Sequence, residues 1–158
     1  MMCRGFLLGG TAGRTTLNGE GLQHEDGHSQ ILASSVPTLL TYDPAFGYEL
    51  VLIVREGIKR MYEDQEDVFY YLTLYNENYR QPSLVETDKD VEDIDSVIVE
   101  GILRGGYCYQ RNLMDSDRPH VHLLASGSIM QQALLAREIL TKLNINVCLW
   151  SVTSFVEL

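Results

Sequence analysis

The stretch from Leu39 to Tyr75 constrains the fold more than any other, because its hydrophobic pattern changes period twice. Leu39 to Tyr42 is a short apolar run of strand length. Asp43-Pro44 then reads as a helix start, a carboxylate N-cap followed by proline where no amide donor is needed. From Ala45 to Tyr62 the residues Val51, Val54, Ile58, Met61 and Tyr62 recur at three- and four-residue intervals, which predicts a helix carrying them on one face. Val68 to Tyr75 (Val-Phe-Tyr-Tyr-Leu-Thr-Leu-Tyr) is β-branched and aromatic without strict alternation. That composition suits a strand covered on both faces in a mostly parallel sheet.

A second unit of the same kind lies near the end. Val121 to Ala125 reads as a strand and Ile129 to Leu143 as a helix with Ala133, Ala136, Ile139, Leu140 and Leu143 on a face. Val147 to Val152 is the returning strand, which makes one βαβ unit. Such a unit cannot cover both faces of its strands alone, so the expected α/β architecture is incomplete. Between the units the chain turns polar and acidic from Tyr79 to Asp95, as a solvated linker does. A short helix over Ile94 to Ile102, a short strand at Tyr107 to Tyr109 and a polar loop at Asn112 to Pro119 follow. Near the start, Gly5 to Gly21 is rich in glycine and small hydroxyl side chains, and a short helix is expected over Arg4 to Gly13.

The formal net charge of −10 repels phosphate backbones and anionic lipid, so nucleic acid and membrane surfaces are not expected partners. Cys3, Cys108 and Cys148 are far apart and odd in number, which argues for free thiols in a reducing cytosol rather than a disulfide framework. The only apolar N-terminal run is cut by Gly9, Gly10 and Gly13, and no stretch approaches membrane-spanning length. A cytoplasmic location is expected.

Four motifs bear on chemistry. His24-Glu25-Asp26-Gly27-His28 fits His-Glu-x-x-His, in which a helix sets two imidazoles against zinc with the glutamate as base. That gives one alternative, a zinc-dependent hydrolase using His24 and His28, although Gly19, Gly21, Asp26 and Gly27 are poor helix formers. As a loop, the same segment sets Glu20 and His24 four residues apart on a glycine-flanked backbone. They can converge on a ligand or form an ordinary ion pair or loop hydrogen bond. Ser126-Gly127-Ser128, where a strand hands over to a helix, suits a serine N-cap or an anion held by free amides. His120 and His122 share one side of a strand and lack a further clustered ligand.

Three stretches resemble the homodimeric type of pyruvate dehydrogenase, the decarboxylating component of the pyruvate dehydrogenase complex. They are Arg4 to His28 (Arg-Gly-Phe-Leu-Leu-Gly-Gly-Thr-Ala-Gly-Arg-Thr-Thr-Leu-Asn-Gly-Glu-Gly-Leu-Gln-His-Glu-Asp-Gly-His), Tyr70 to Tyr79 (Tyr-Tyr-Leu-Thr-Leu-Tyr-Asn-Glu-Asn-Tyr) and Trp150 to Leu158 (Trp-Ser-Val-Thr-Ser-Phe-Val-Glu-Leu). The resemblance implies a transketolase-like thiamine-diphosphate-enzyme fold, with mostly parallel sheets and flanking helices. It implies residues 1–80 as the C-terminal part of the middle, pyrimidine-binding-type domain, 81–118 as a linker region, and 119–158 as the first βαβ unit of the C-terminal domain. It further implies thiamine diphosphate and Mg2+ as cofactors of the full-length enzyme, pyruvate as substrate, and a homodimer. The acetyl acceptor is the lipoyl domain of the dihydrolipoyl acetyltransferase. Glu20 and His24 match the family's acid and histidine facing the cofactor-bound substrate, with His24 delivering a proton to lipoyl sulfur and Glu20 orienting it. The family's Gly-Asp-Gly…Asn diphosphate and magnesium pattern and its cofactor-activating glutamate have no counterpart here. No cofactor-binding or metal-ligating residue is therefore assigned, and a chain of this extent is expected to be inactive alone.

Overall fold

In a computed structural model, residues 3–10, 26–82, 94–112 and 117–158 are described. The first sheet contains β1 (Phe6–Gly9), β2 (Leu39–Tyr42) and β3 (Phe69–Thr73), in the order β1-β3-β2 with both pairings parallel. The second contains β4 (Gly106–Asn112), β5 (His120–Ala125) and β6 (Asn146–Val152), in the order β4-β6-β5. Here β5 runs parallel to β6 and β4 antiparallel to it, so the sheet is mixed. The helices are α1 (Ser29–Ser34), α2 (Gly47–Ile58), α3 (Ile94–Leu103) and α4 (Met130–Lys142).

The runs expected to be strands are strands, and β2 has the expected limits. The expected helix over Arg4 to Gly13 is corrected: Phe6 to Gly9 is a strand, in register with Tyr70 to Thr73. Glycine-rich sequence has little helix propensity of its own, and β3 supplies the hydrogen-bond ladder that decides the matter, starting with Tyr70 N–H to Gly5 O at 3.0 Å.

The face of α2 is also corrected. Val51, Ile58 and Tyr62, read as sharing a face, are exposed, whereas Glu49, Ile53, Gly57 and Met61 are buried at intervals of four. Gly57 is where the helix meets the sheet most closely, since a Cβ there would lie 2.9 Å from the Phe6 ring and 3.1 Å from that of Tyr70. A π-helical turn over Lys59–Glu63 extends α2 and carries Met61 inward. On α4, likewise, Met130 is fully buried and Ala133 and Leu134 pack against the core, while Ile139 and, just past the helix end, Leu143 are exposed.

One core joins the two sheets. Leu40, Tyr42, Phe46, Ile53 and Leu72 from the first half pack with Ile98, Ile102, Tyr107, Tyr109, Met130 and Leu149 from the second. Each fully buried Ile or Leu among them contributes about 1.5–3 kcal/mol. Both α3 and β4 lie within residues 81–118, and their buried Ile98, Ile102, Tyr107 and Tyr109 tie that stretch into this core.

Candidate functional site

In open parallel sheets, ligands gather at the carboxyl ends of the strands, and there the described part of the Asn18 to Ser29 loop is anchored. Asp26 Oδ1 accepts from the backbone N–H of His28 at 3.1 Å and of Ser29 at 3.0 Å, and the Ser29 hydroxyl bonds to Asp26 Oδ2. Gln30, one residue later, donates from Nε2 to the Tyr42 carbonyl at 3.0 Å and to Thr73 Oγ1 at 3.4 Å. The first turn of α1 is therefore held at the carboxyl ends of β2 and β3. Glu20, His24 and Glu25 lie outside the described residues.

His28 precedes α1, and residues 26–28 are not helical. A zinc-binding His-Glu-x-x-His needs both histidines on one continuous helix, so this geometry corrects the zinc-hydrolase alternative. Among the described residues, no group of three or more His, Cys, Asp or Glu side chains could hold a metal. His120 and His122 are engaged across the sheet, His120 Nε2 with Asn146 Nδ2 at 3.1 Å and His122 Nδ1 accepting from Trp150 Nε1 at 2.9 Å.

At the same strand ends Asp43 joins the halves. Its N–H donates to Thr153 O at 2.7 Å, and its carbonyl accepts from Gly127 N–H at 3.1 Å. Its carboxylate accepts from the hydroxyls of Thr73 and Tyr75. This corrects Asp43 as a helix cap. The N-cap of α2 is Phe46, and Glu49 Oε2 reaches back to the N–H groups of Ala45 at 2.6 Å and Phe46 at 3.1 Å. Ser126 stands at the N-cap of a 3-10 turn over Gly127–Ile129 without a side-chain cap bond. Gly127, at φ +51°, turns against Asp43 and Tyr75.

Glu49 is fully buried, and its Oε1 accepts from Tyr107 Oη and Ser151 Oγ, each at 2.7 Å. Burial pushes its carboxyl above the usual range, and the four hydrogen bonds oppose that shift without cancelling it. Tyr107 bonds in turn to Tyr48. Both phenols are raised by burial and by the neighbouring Glu49. Sequence periodicity missed Glu49 because a glutamate does not count toward an apolar stripe. The available signal was its place three residues after Phe46, where a carboxylate caps the amides that open a helix.

These sheets and their shared seam define a transketolase-like fold. It is similar to that of Leishmania mexicana transketolase, with a TM-score of 0.65 at 16% identity over 95% of this chain and 19% of that one. A Pichia stipitis transketolase mutant, R525L, gives 0.65 at 18% identity over the same shares. Residues 105–158 match the transketolase-like C-terminal domain family, and residues 1–82 match the pyruvate dehydrogenase E1 component middle domain. The chain belongs to the pyruvate dehydrogenase E1 component family. It is 50% identical to the Pseudomonas aeruginosa E1 component, over 98% of this chain and 16% of the relative. The figures for Mycolicibacterium smegmatis are 50%, 99% and 16%, and for Escherichia coli K12 they are 47%, 98% and 16%. The chain thus spans about a sixth of the length of these relatives.

Proposed function

We propose that this chain is the segment of a thiamine-diphosphate-dependent pyruvate dehydrogenase E1 component that runs from the end of the middle domain (1–80), through a connecting region (81–118), into the first βαβ unit of the C-terminal domain (119–158). The observation that carries the reading is 45–50% identity across essentially the whole chain to E1 components. In that enzyme, pyruvate is decarboxylated and an acetyl group passes to the lipoyl domain of the acetyltransferase, in a cytoplasmic homodimer. The bound thiamine diphosphate supplies the electron sink for decarboxylation.

The Gly-Asp-Gly…Asn pattern that holds magnesium and diphosphate in the family has no counterpart in this sequence, so no residue here is assigned to that site. The reading gives this segment a positioning and proton-transfer role. His24, which titrates near neutral pH when unperturbed, delivers a proton to lipoyl sulfur as the dithiolane opens. Glu20, four residues before it, orients that imidazole. Gln30, six residues after His24, bonds at the carboxyl ends of β2 and β3, where ligands gather in open parallel sheets, and that placement supports this reading.

Two measurements test it. In a full-length enzyme carrying this segment, His24→Ala is expected to slow acetyl transfer to lipoyl by about 100-fold or more, the usual contribution of a positioned acid. An unchanged transfer rate refutes the role. The isolated chain is expected to bind no thiamine diphosphate tightly, and calorimetry giving micromolar, magnesium-dependent binding refutes that part.

A further inference from the structure

Glu49 has no place in the chemistry above, yet it is a fully buried carboxyl at the joint between the sheets. One oxygen is held by its own half through the Ala45 and Phe46 amides, and the other by the second half through Tyr107 and Ser151. No cation is among its partners in the described residues. The titratable groups facing it are phenols: Tyr48 on its own helix, Tyr107 on β4, and Tyr79 near the N-terminus of α2. On α3, packed alongside, Glu100 is exposed and paired with Arg104 at 2.8 Å.

We propose that Glu49 is a protonation-controlled latch: with its carboxyl neutral the two sheets are clamped together, and its ionisation loosens the seam. A neutral carboxyl fits because the proton can be donated to Tyr107 Oη or Ser151 Oγ, whose hydroxyls rotate, and Tyr107 can turn its own proton toward Tyr48. An ionised carboxyl here has only dipoles for compensation, and water admitted by opening the joint is the readiest relief. The linkage has a definite sign. The folded chain holds the proton more tightly than the unfolded chain, so the added stability is complete below the ordinary carboxylate range. It is lost as pH rises through the raised folded value.

The test uses the whole chain with carbon-13-labelled glutamate, titrated from acid to mildly alkaline pH. Glu49 is expected to titrate above the ordinary carboxylate range. Exchange of the Asp43 and Gly127 amides, which bond across the seam, should accelerate about tenfold through that midpoint after correction for intrinsic pH dependence. The Tyr70 amide, bonded to Gly5 O beside the first sheet, should not respond. Glu49→Gln, permanently neutral, should keep the seam amides protected at every pH. The proposal is overturned if Glu49 titrates at or below the ordinary range, if the seam amides ignore its titration, or if Glu49→Gln follows the wild-type profile. Should that variant fail to fold, the two wild-type measurements decide alone.

Discussion

Replacing Gly127 with alanine sets a methyl group where the two sheets meet. At φ +51° an L side chain is strained, at a cost of about 1–2 kcal/mol. The new Cβ would also overlap the Tyr75 hydroxyl and lie 2.7 Å from both Asp43 Oδ1 and Tyr75 Cζ. Neither neighbour yields freely, because Tyr75 and Thr73 both donate to the Asp43 carboxylate and the Asp43 backbone bonds to Thr153 and Gly127. Overpacking of this kind adds about 1–3 kcal/mol, so Gly127→Ala should lose roughly 2–5 kcal/mol in all. At about 2–4 °C per kcal/mol for a chain of this size, the melting temperature should fall by roughly 4–20 °C. Thermal and urea unfolding followed by near-ultraviolet circular dichroism measure it. Gly10→Ala is the control, since a Cβ there meets nothing within 4 Å and the cost should stay within about 0.5 kcal/mol. If Gly127→Ala proves as mild as Gly10→Ala, the close packing assigned to the seam is wrong.

Gly101→Ala on α3 is expected to destabilise, although alanine is favoured in a helix by about 1 kcal/mol. Its Cβ would lie 2.7 Å from Tyr107 Cβ and 3.0 Å from the Gly106 carbonyl. A gain of stability in urea would show that α3 can move away from β4. In an alkaline ultraviolet titration, Tyr70 and Tyr79 should ionise late, both pushed up to about 12 chiefly by burial. The stability they contribute is present below the ordinary tyrosine range and is lost as pH rises through about 12. Early, complete ionisation of all the tyrosines in the folded chain would contradict their burial.

What was legible in the sequence was local. The apolar run of β2, the aromatic run of β3 and the βαβ unit of the second half are set by periodicity and length. The resemblance in Arg4 to His28, Tyr70 to Tyr79 and Trp150 to Leu158 was equally local, and the whole-chain identity to E1 components agrees with it. The candidate pair Glu20 and His24 rests on that resemblance alone, and both residues lie outside the described ones.

Nonlocal features escaped that reading. Arg4 to Gly13 has no strong preference, and only the edge offered by β3 made Phe6–Gly9 a strand. Glu49 and Gly57 line the buried face of α2 because hydrogen-bond donors from the second half compensate one and aromatic rings close over the other. Asp43 faces Thr73 and Tyr75, which lie 30 and 32 residues away in sequence. The sequence by itself determined the α/β pattern and the family, since both are written in runs of neighbouring residues. Tertiary structure decided which helix face is buried and how the halves join, because burial of a carboxyl or a glycine depends on partners distant along the chain.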